Sequence, residues 1–158
     1  MEFLVIRRIV FMISRAFRFY SILIVLNIGF QIVSTSCVHA IDIKIIVHSN
    51  VQDAISVKDI RNIFLGKKTQ WNNNSRIRFV LLTEEKTYRT FITHYVRKTL
   101  YQYRNYWRKK VFTGTGMMPI MYNDCSQCVD YVHRTKGAIS FVPLNCTVSD
   151  GVKEIILD

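Results

Sequence analysis

The stretch Ser56-Val-Lys-Asp-Ile-Arg-Asn-Ile-Phe-Leu-Gly-Lys-Lys-Thr-Gln-Trp71 has the pattern of a capped amphipathic helix that ends at a glycine. The hydroxyl of Ser56 is placed to accept a hydrogen bond from the backbone N–H of Asp59, whose carboxylate can reach back as in a capping box. Gly66 supplies the left-handed residue that closes such a helix. Helical spacing brings four apolar side chains to one face, those of Val57, Ile60, Ile63 and Phe64. The stretch therefore predicts a helix packed on a core and followed by a turn toward Trp71.

Around this helix, strand and helix patterns alternate along the chain. We predict strands at 42–48, 76–82, 138–142 and 152–157, and further helices at 87–100, 102–112 and 124–135. The second strand is apolar on both faces near its end, which is typical of a sheet covered on both sides. The order of the elements predicts an α/β domain with three layers and a mostly parallel sheet.

Residues 1–40 have the pattern of an export signal. Arginines precede an apolar run at 21–33, and Val38 and Ala40 suit the −3 and −1 positions of a signal-peptidase site. We therefore predict a signal peptide over 1–40, with Met12 as an alternative start, and a domain over 41–158 that is periplasmic or secreted.

The alternative is that the apolar run is retained as a membrane anchor. Asn27 and Gln31 interrupt residues 21–33, and the run is short for a bilayer span of about 20 apolar residues. Cleavage therefore remains the favoured interpretation.

The chain is strongly basic, with a formal net charge of +11. Residues 1–40 contribute four arginines and one glutamate, which leaves +8 for the remaining residues. This charge favours an anionic partner. The chain carries no recognisable nucleophile–base pair, paired acids or glycine-rich phosphate loop. We therefore predict a protein that is not an enzyme and needs no cofactor.

Aromatic, apolar and glycine residues form short blocks along the chain. The blocks, in chain order, are Val47–Asn50, Ile63–Gly66 with Trp71, Phe91, Tyr106–Trp107 with Phe112 and Gly114, and Gly137–Pro143. Together they resemble the phosphate-binding proteins of ABC transporters, although Ser140 and Phe141 stand where that family usually has Gly and Tyr. The resemblance implies a small, single-lobe member with a type II periplasmic-binding-protein fold.

The resemblance breaks where the family holds its ligand. Members of the family carry an Arg and a Ser-Gly-Thr at the start of the helix after the second strand. The Arg position falls on Leu81, and the other three fall on Glu85, Lys86 and Thr87, so only the threonine is kept. The residues that the resemblance still offers for an anion site are Lys86, Thr87 and Arg89, with Ser49 and Asn50 at the end of the first strand.

Two functions are consistent with this pattern. The first is an exported, non-enzymatic solute-binding-protein-like domain associated with phosphate or anion ABC transport. The second is a secreted protein-interaction module that has kept the fold and lost anion binding. The expected partner is a small oxyanion or a periplasmic or membrane protein, and a homodimer through the face that a second lobe would cover is a further expectation.

The stretch Tyr95–Lys110 interleaves aromatic and basic residues, a pattern that also occurs in proteins that bind nucleic acid or membranes. Helical spacing instead places the aromatic residues inside two amphipathic helices and the basic residues outside. We therefore predict an anionic contact surface at most, and no nucleic-acid partner.

Cys125-Ser-Gln-Cys128 is a C-x-x-C at the start of a predicted helix, where a thiol can become reactive. Export places the chain in an oxidising compartment, so a structural disulfide is favoured over redox catalysis. We predict a bond from Cys146 to either Cys125 or Cys128, with one thiol left over. Cys125, Cys128, Cys146 and His133 also offer four zinc ligands, but Cys128 and His133 are poorly placed on one helix face, so we predict no metal site.

Overall fold

The computed structural model describes residues 42–155. The predicted signal peptide over 1–40 and the alternative anchor over 21–33 lie outside the described residues. Within 42–155, no helix is long and apolar enough to cross a bilayer. The elements in chain order are β1 (Ile43–His48), α1 (Val57–Phe64), β2 (Arg78–Leu82), α2 (Glu85–Phe91), a π-helix (Ile92–Val96), α3 (Leu100–Phe112), β3 (Ile120–Tyr122), α4 (Cys125–Arg134), β4 (Ala138–Pro143) and β5 (Val152–Ile155).

Helix α1 has the capping box that its sequence predicts. The Asp59 backbone N–H donates to the Ser56 hydroxyl over 3.2 Å, and the Ser56 backbone N–H donates to the Asp59 carboxylate over 3.1 Å. The hydrogen bond from the Ser56 hydroxyl and the ammonium of Lys68, 2.9 Å away, lower the pKa of the Asp59 carboxyl. Gly66 follows the helix with φ of +61°, in the left-handed region. Both predicted ends of this helix are confirmed.

The strands form one mixed sheet in the order β3-β2-β4-β1-β5. Strand β2 pairs in parallel with β3 and β4, whereas β1 pairs antiparallel with β4 and β5. The expectation of a mostly parallel sheet is therefore only partly right. Helix α1 connects β1 to β2, but β4 lies between these two strands in the sheet. The rule that a helical crossover joins parallel strands therefore does not fix the direction of β1.

Strand β4 packs against a helical layer on each face of the sheet, because its successive side chains point to opposite faces. On one face the Phe141 ring stacks on Phe91 of α2, with 3.7 Å between ring centroids, and lies 5.8 Å from the ring of Phe64 of α1. On the other face Ser140 meets Cys128 of α4. The predicted three-layer α/β architecture is confirmed.

Two stretches differ from their sequence patterns. The helix predicted over 87–100 stops earlier: α2 continues as the π-helix, which ends at Arg97 with φ of +56°. Helix α3 then begins at Leu100 with its own capping box between Thr99 and Gln102, so a new helix start competes with continuation of the old one. Strand β3 was not predicted, because three residues are too few to show an alternating pattern.

Candidate functional site

The start of α2, directly after β2, is where the resemblance places an anion. The Thr87 side chain is buried there, and its hydroxyl donates to the carboxylate of Glu84, the residue before the helix. The one residue kept from the family pattern is therefore already paired with an acid of the same chain. An oxyanion at this position would compete with a carboxylate that the chain supplies itself.

The two cations expected beside Thr87 also face carboxylates. The Arg89 guanidinium donates to the Glu85 carboxylate over 3.0 Å, and the Lys86 ammonium lies 3.9 Å from a carboxylate oxygen of Asp42. Both pairs are exposed, so each contributes little to stability. They do offset the positive charge that would attract an anion.

Ser49 and Asn50 lie at the far edge of the sheet from this position. Because β1 is antiparallel to β4, and β4 is parallel to β2, the end of β1 meets the beginning of β2 rather than its end. With about 3.3 Å per residue, the six residues of β1 separate the two positions by about 20 Å. The structure therefore does not bring the five predicted residues together.

Asn50 has a structural role at its end of the sheet. Its side-chain oxygen accepts a hydrogen bond from the backbone N–H of Gly137 over 3.1 Å, and the carbonyl of Gly137 accepts from the indole N–H of Trp71 over 3.0 Å. A Cβ on Gly137 would lie 2.6 Å from the Arg76 carbonyl. The asparagine, the tryptophan and the glycine of three resemblance blocks thus pack around one turn.

Among the cysteines of residues 42–155, Cys125 and Cys146 form a disulfide. This confirms the prediction that Cys146 is tied to α4 and selects Cys125 from the two candidates. Cys128 lies on the buried face of α4, and burial raises the pKa of its thiol to about 11. The disulfide also removes two of the four zinc ligands considered above, and the described residues contain no cluster able to hold a metal ion.

Helix α3 completes the end of α1. The phenol of Tyr103 donates to the Phe64 carbonyl over 2.9 Å, that of Tyr106 donates to the Leu65 carbonyl over 2.8 Å, and Lys110 donates to the Gly66 carbonyl over 3.1 Å. These carbonyls lack partners within their own helix, as at any helix C-terminus. Tyr103 and Trp107 are buried and Tyr106 is half-buried, which confirms the amphipathic interpretation for α3, whereas Tyr101 is exposed on its outer face.

An open groove of about 630 Å³ lies beside this junction, at the beginnings of β2 and β3. Its lining is both basic and apolar, and includes Arg76, Arg78, Trp107, Lys110, Met117 and Met118. Sequence reasoning did not identify the groove, because its residues come from four separate segments. The only signal that pointed near it was the aromatic and basic pattern over 95–110.

No protein-family model matches the chain, and no curated protein matches it. Among solved structures, the chain is similar to a putative phosphate ABC transporter substrate-binding protein with bound phosphate from Clostridium perfringens, with 16% identity and a TM-score of 0.56. It is also similar to PstS from Borrelia burgdorferi, with 11% identity and a TM-score of 0.54. The aligned region covers 73% and 74% of this chain but only 44% and 47% of those proteins. At these identities the similarity shows the fold alone, and it agrees with the fold that the resemblance implies.

Proposed function

We propose that this chain is an exported, non-enzymatic relative of phosphate ABC transporter substrate-binding proteins that works through protein or surface contacts rather than by enclosing an anion. It corresponds to the second of the two functions set out from the sequence: the fold is kept and anion capture is lost. The transport association rests on the fold similarity and on the sequence blocks that carry the resemblance.

The observation that carries the proposal is the pairing of Thr87 with Glu84. A helix start that binds an oxyanion offers free backbone and hydroxyl donors with positive charge nearby. Here the hydroxyl is engaged by a carboxylate, and Glu84 and Glu85 add two negative charges where an anion would sit. Placing a phosphate there would bring like charges together, which is unfavourable.

The chain spans about half the length of the solved structures it resembles. Contacts with another protein or surface need only one lobe.

Anion capture is the second candidate function, because one structural neighbour is described with bound phosphate and this chain is basic. The residues that would carry it are Lys86, Thr87 and Arg89 at one edge of the sheet. Ser49 and Asn50, at the other edge, would belong to a separate contact.

A thermal-shift titration with phosphate separates the two candidates. A ligand that binds only the folded state stabilises it, by about 2.7 kcal/mol at a concentration of one hundred times Kd. We expect no saturable rise in Tm up to millimolar phosphate at low ionic strength. The Glu84 carboxylate occupies the Thr87 hydroxyl, and Glu84 and Glu85 repel the anion. Sodium chloride at matched ionic strength is the control for general salt effects.

Two variants sharpen the titration. Glu84→Ala releases the Thr87 hydroxyl and removes one negative charge, so any latent phosphate response should be larger in this variant than in the parent chain. A saturable phosphate shift in the parent chain that disappears in Thr87→Ala, each compared with its own ligand-free Tm, would overturn the proposal in favour of anion capture.

A further inference from the structure

The distribution of charge along the chain singles out one region. Between Glu85 and Asp124 the sequence contains no Asp or Glu, and it contains eight basic residues: Lys86, Arg89, Arg97, Lys98, Arg104, Arg108, Lys109 and Lys110. This segment therefore carries a charge as large as the net charge of residues 41–158. A basic region without intervening acids favours contact with an extended anionic surface.

Helix α3 presents part of this charge on an outward face. Tyr103 and Trp107 point into the core. On the opposite stripe, Tyr101 and the side chains three and seven positions after it, Arg104 and Arg108, are exposed. Phe112 ends the same stripe, since it follows Arg108 by four residues. The outward face is therefore cationic in the middle and aromatic at both ends.

Large apolar side chains stand in solvent where α3 ends. Phe112 is 93% exposed, Met117 is 78% exposed and Met118 is 53% exposed. We call these three residues the apolar tip. Exposed apolar groups of this size beside a basic face are typical of an interaction site rather than of an ordinary surface.

The turn that leads to Met117 and Met118 is held against α3. The Thr115 backbone N–H donates to the Lys110 carbonyl over 2.9 Å. A Cβ on Gly116 would lie 3.4 Å from the Trp107 ring, so the turn runs close over the helix. The methionines are thereby displayed next to the cations of the last turn of α3.

The geometry points to an anionic phospholipid surface as the partner of this face. Phenyl and thioether side chains enter the boundary between headgroups and acyl chains, while neighbouring Lys and Arg side chains reach the phosphate level. Each cation near an anionic bilayer adds about 1 kcal/mol of attraction. This inference goes beyond the proposed function, because it names a surface and a partner that do not depend on how phosphate behaves.

A single-stranded nucleic acid fits this face less well. Such ligands bind by stacking bases on aromatic rings. The rings of Tyr103 and Trp107 are buried, and two of the three side chains of the apolar tip are methionines, which offer no ring. The exposed rings of Tyr101 and Phe112 stand at opposite ends of α3, about 16 Å apart, which is too far to stack successive bases. Insertion into a lipid interface uses all three side chains.

A tryptophan placed in the apolar tip tests the inference in the whole chain. The native Trp71 and Trp107 are buried, and the unsubstituted chain under the same conditions gives their contribution to the emission. In Phe112→Trp, vesicles that contain phosphatidylglycerol should shift the emission to the blue, and brominated lipids should quench it. Vesicles of phosphatidylcholine alone should do neither.

Leu144→Trp is the matched control. Leu144 is 55% exposed and follows β4, at the opposite end of the sheet from the residues that precede β3. Its tryptophan should stay unquenched under the same conditions. Because both readings are local, they report this face even if residues 1–40 also associate with the vesicles.

Charge variants test the basic part of the face. Arg104→Gln and Arg108→Gln should each weaken binding to anionic vesicles about fivefold, the factor that corresponds to the attraction of one cation. Lys58→Gln, in the first turn of α1, removes an exposed cation outside the acid-free segment and should change the affinity less than twofold.

Three results would overturn the inference. One is a tryptophan at 112 that stays unquenched on anionic vesicles. Another is equal quenching at 112 and 144, which would indicate association without a preferred face. The third is binding of a single-stranded oligonucleotide or an acidic protein through Arg104 and Arg108 without any lipid response at 112.

Discussion

At the scale of single residues, the C-x-x-C motif shows how burial decides chemistry. Cys125 and Cys128 occupy the same helix, but Cys125 bonds to Cys146 and Cys128 turns inward beside Ser140. A reactive thiol needs an accessible thiolate, and burial disfavours that form. The motif therefore works as one structural link and one core residue.

We predict that Cys128 resists alkylation in the folded protein. With a pKa raised to about 11 by burial, about one thiol in a thousand is ionised at pH 8. Iodoacetamide at pH 8 should leave Cys128 unmodified in the native chain and modify it after denaturation without reductant. Fragment mass spectrometry should then find Cys125 and Cys146 still linked.

The sign of the pH dependence follows from the thiolate. Raising the pH increases the ionised fraction, so alkylation of Cys128 should become measurable only well above pH 8. Rapid native labelling of Cys128 at pH 8, or a bond between Cys128 and Cys146, would contradict this assignment.

At the scale of elements, the meeting of α1 and α3 explains why two separated sequence blocks belong together. A Cβ on Gly66 would lie 2.8 Å from the ring of Trp107, so the glycine both closes α1 and admits the tryptophan. The phenols of α3 bind the last carbonyls of α1. Each block therefore needs the other to complete its own structure.

We predict that Tyr103→Phe lowers the free energy of unfolding by about 1–3 kcal/mol, because the buried Phe64 carbonyl then loses its hydrogen-bond donor. Tyr101→Phe removes the same hydroxyl from an exposed position on the same helix and should change stability by about 0.5 kcal/mol or less. Urea denaturation measures both. Equal losses in the two variants would show that the junction does not depend on this bond.

At the scale of the whole molecule, the three layers depend on β4. Phe141 packs against α1 and α2, whereas Phe112 projects into solvent at the end of α3. The same residue type thus has two different roles in the chain: one holds a helical layer on the sheet, and the other belongs to the apolar tip.

We predict that Phe141→Ala costs about 3–5 kcal/mol of stability, the range for truncating a fully buried phenylalanine. Phe112→Ala should cost about 0.5 kcal/mol or less, since little apolar surface is lost from the core. Thermal or chemical denaturation of the two variants compares them directly. A large loss in Phe112→Ala would mean that the apolar tip packs inside the fold and is unavailable to a partner.

Much of the fold was predictable from the sequence, because its signals are local. The capping box of Ser56 and Asp59, the stop at Gly66 and the apolar face of α1 all lie within one short segment. Local patterns also predicted strands β1 and β4, and the apolar sheet predicted a helical layer on each of its faces. Cys146 was also correctly paired with the start of α4.

Only the tertiary structure decided how these pieces are arranged. The direction of β1 comes from its pairing with β4, almost a hundred residues later along the chain. That direction places Asn50 and Thr87 at opposite edges of the sheet, which no local pattern encodes. Similarly, the choice of Cys125 over Cys128 depends on which side of α4 faces the core. Capping and periodicity act over a few residues, whereas strand direction, site assembly and disulfide choice depend on contacts between distant segments.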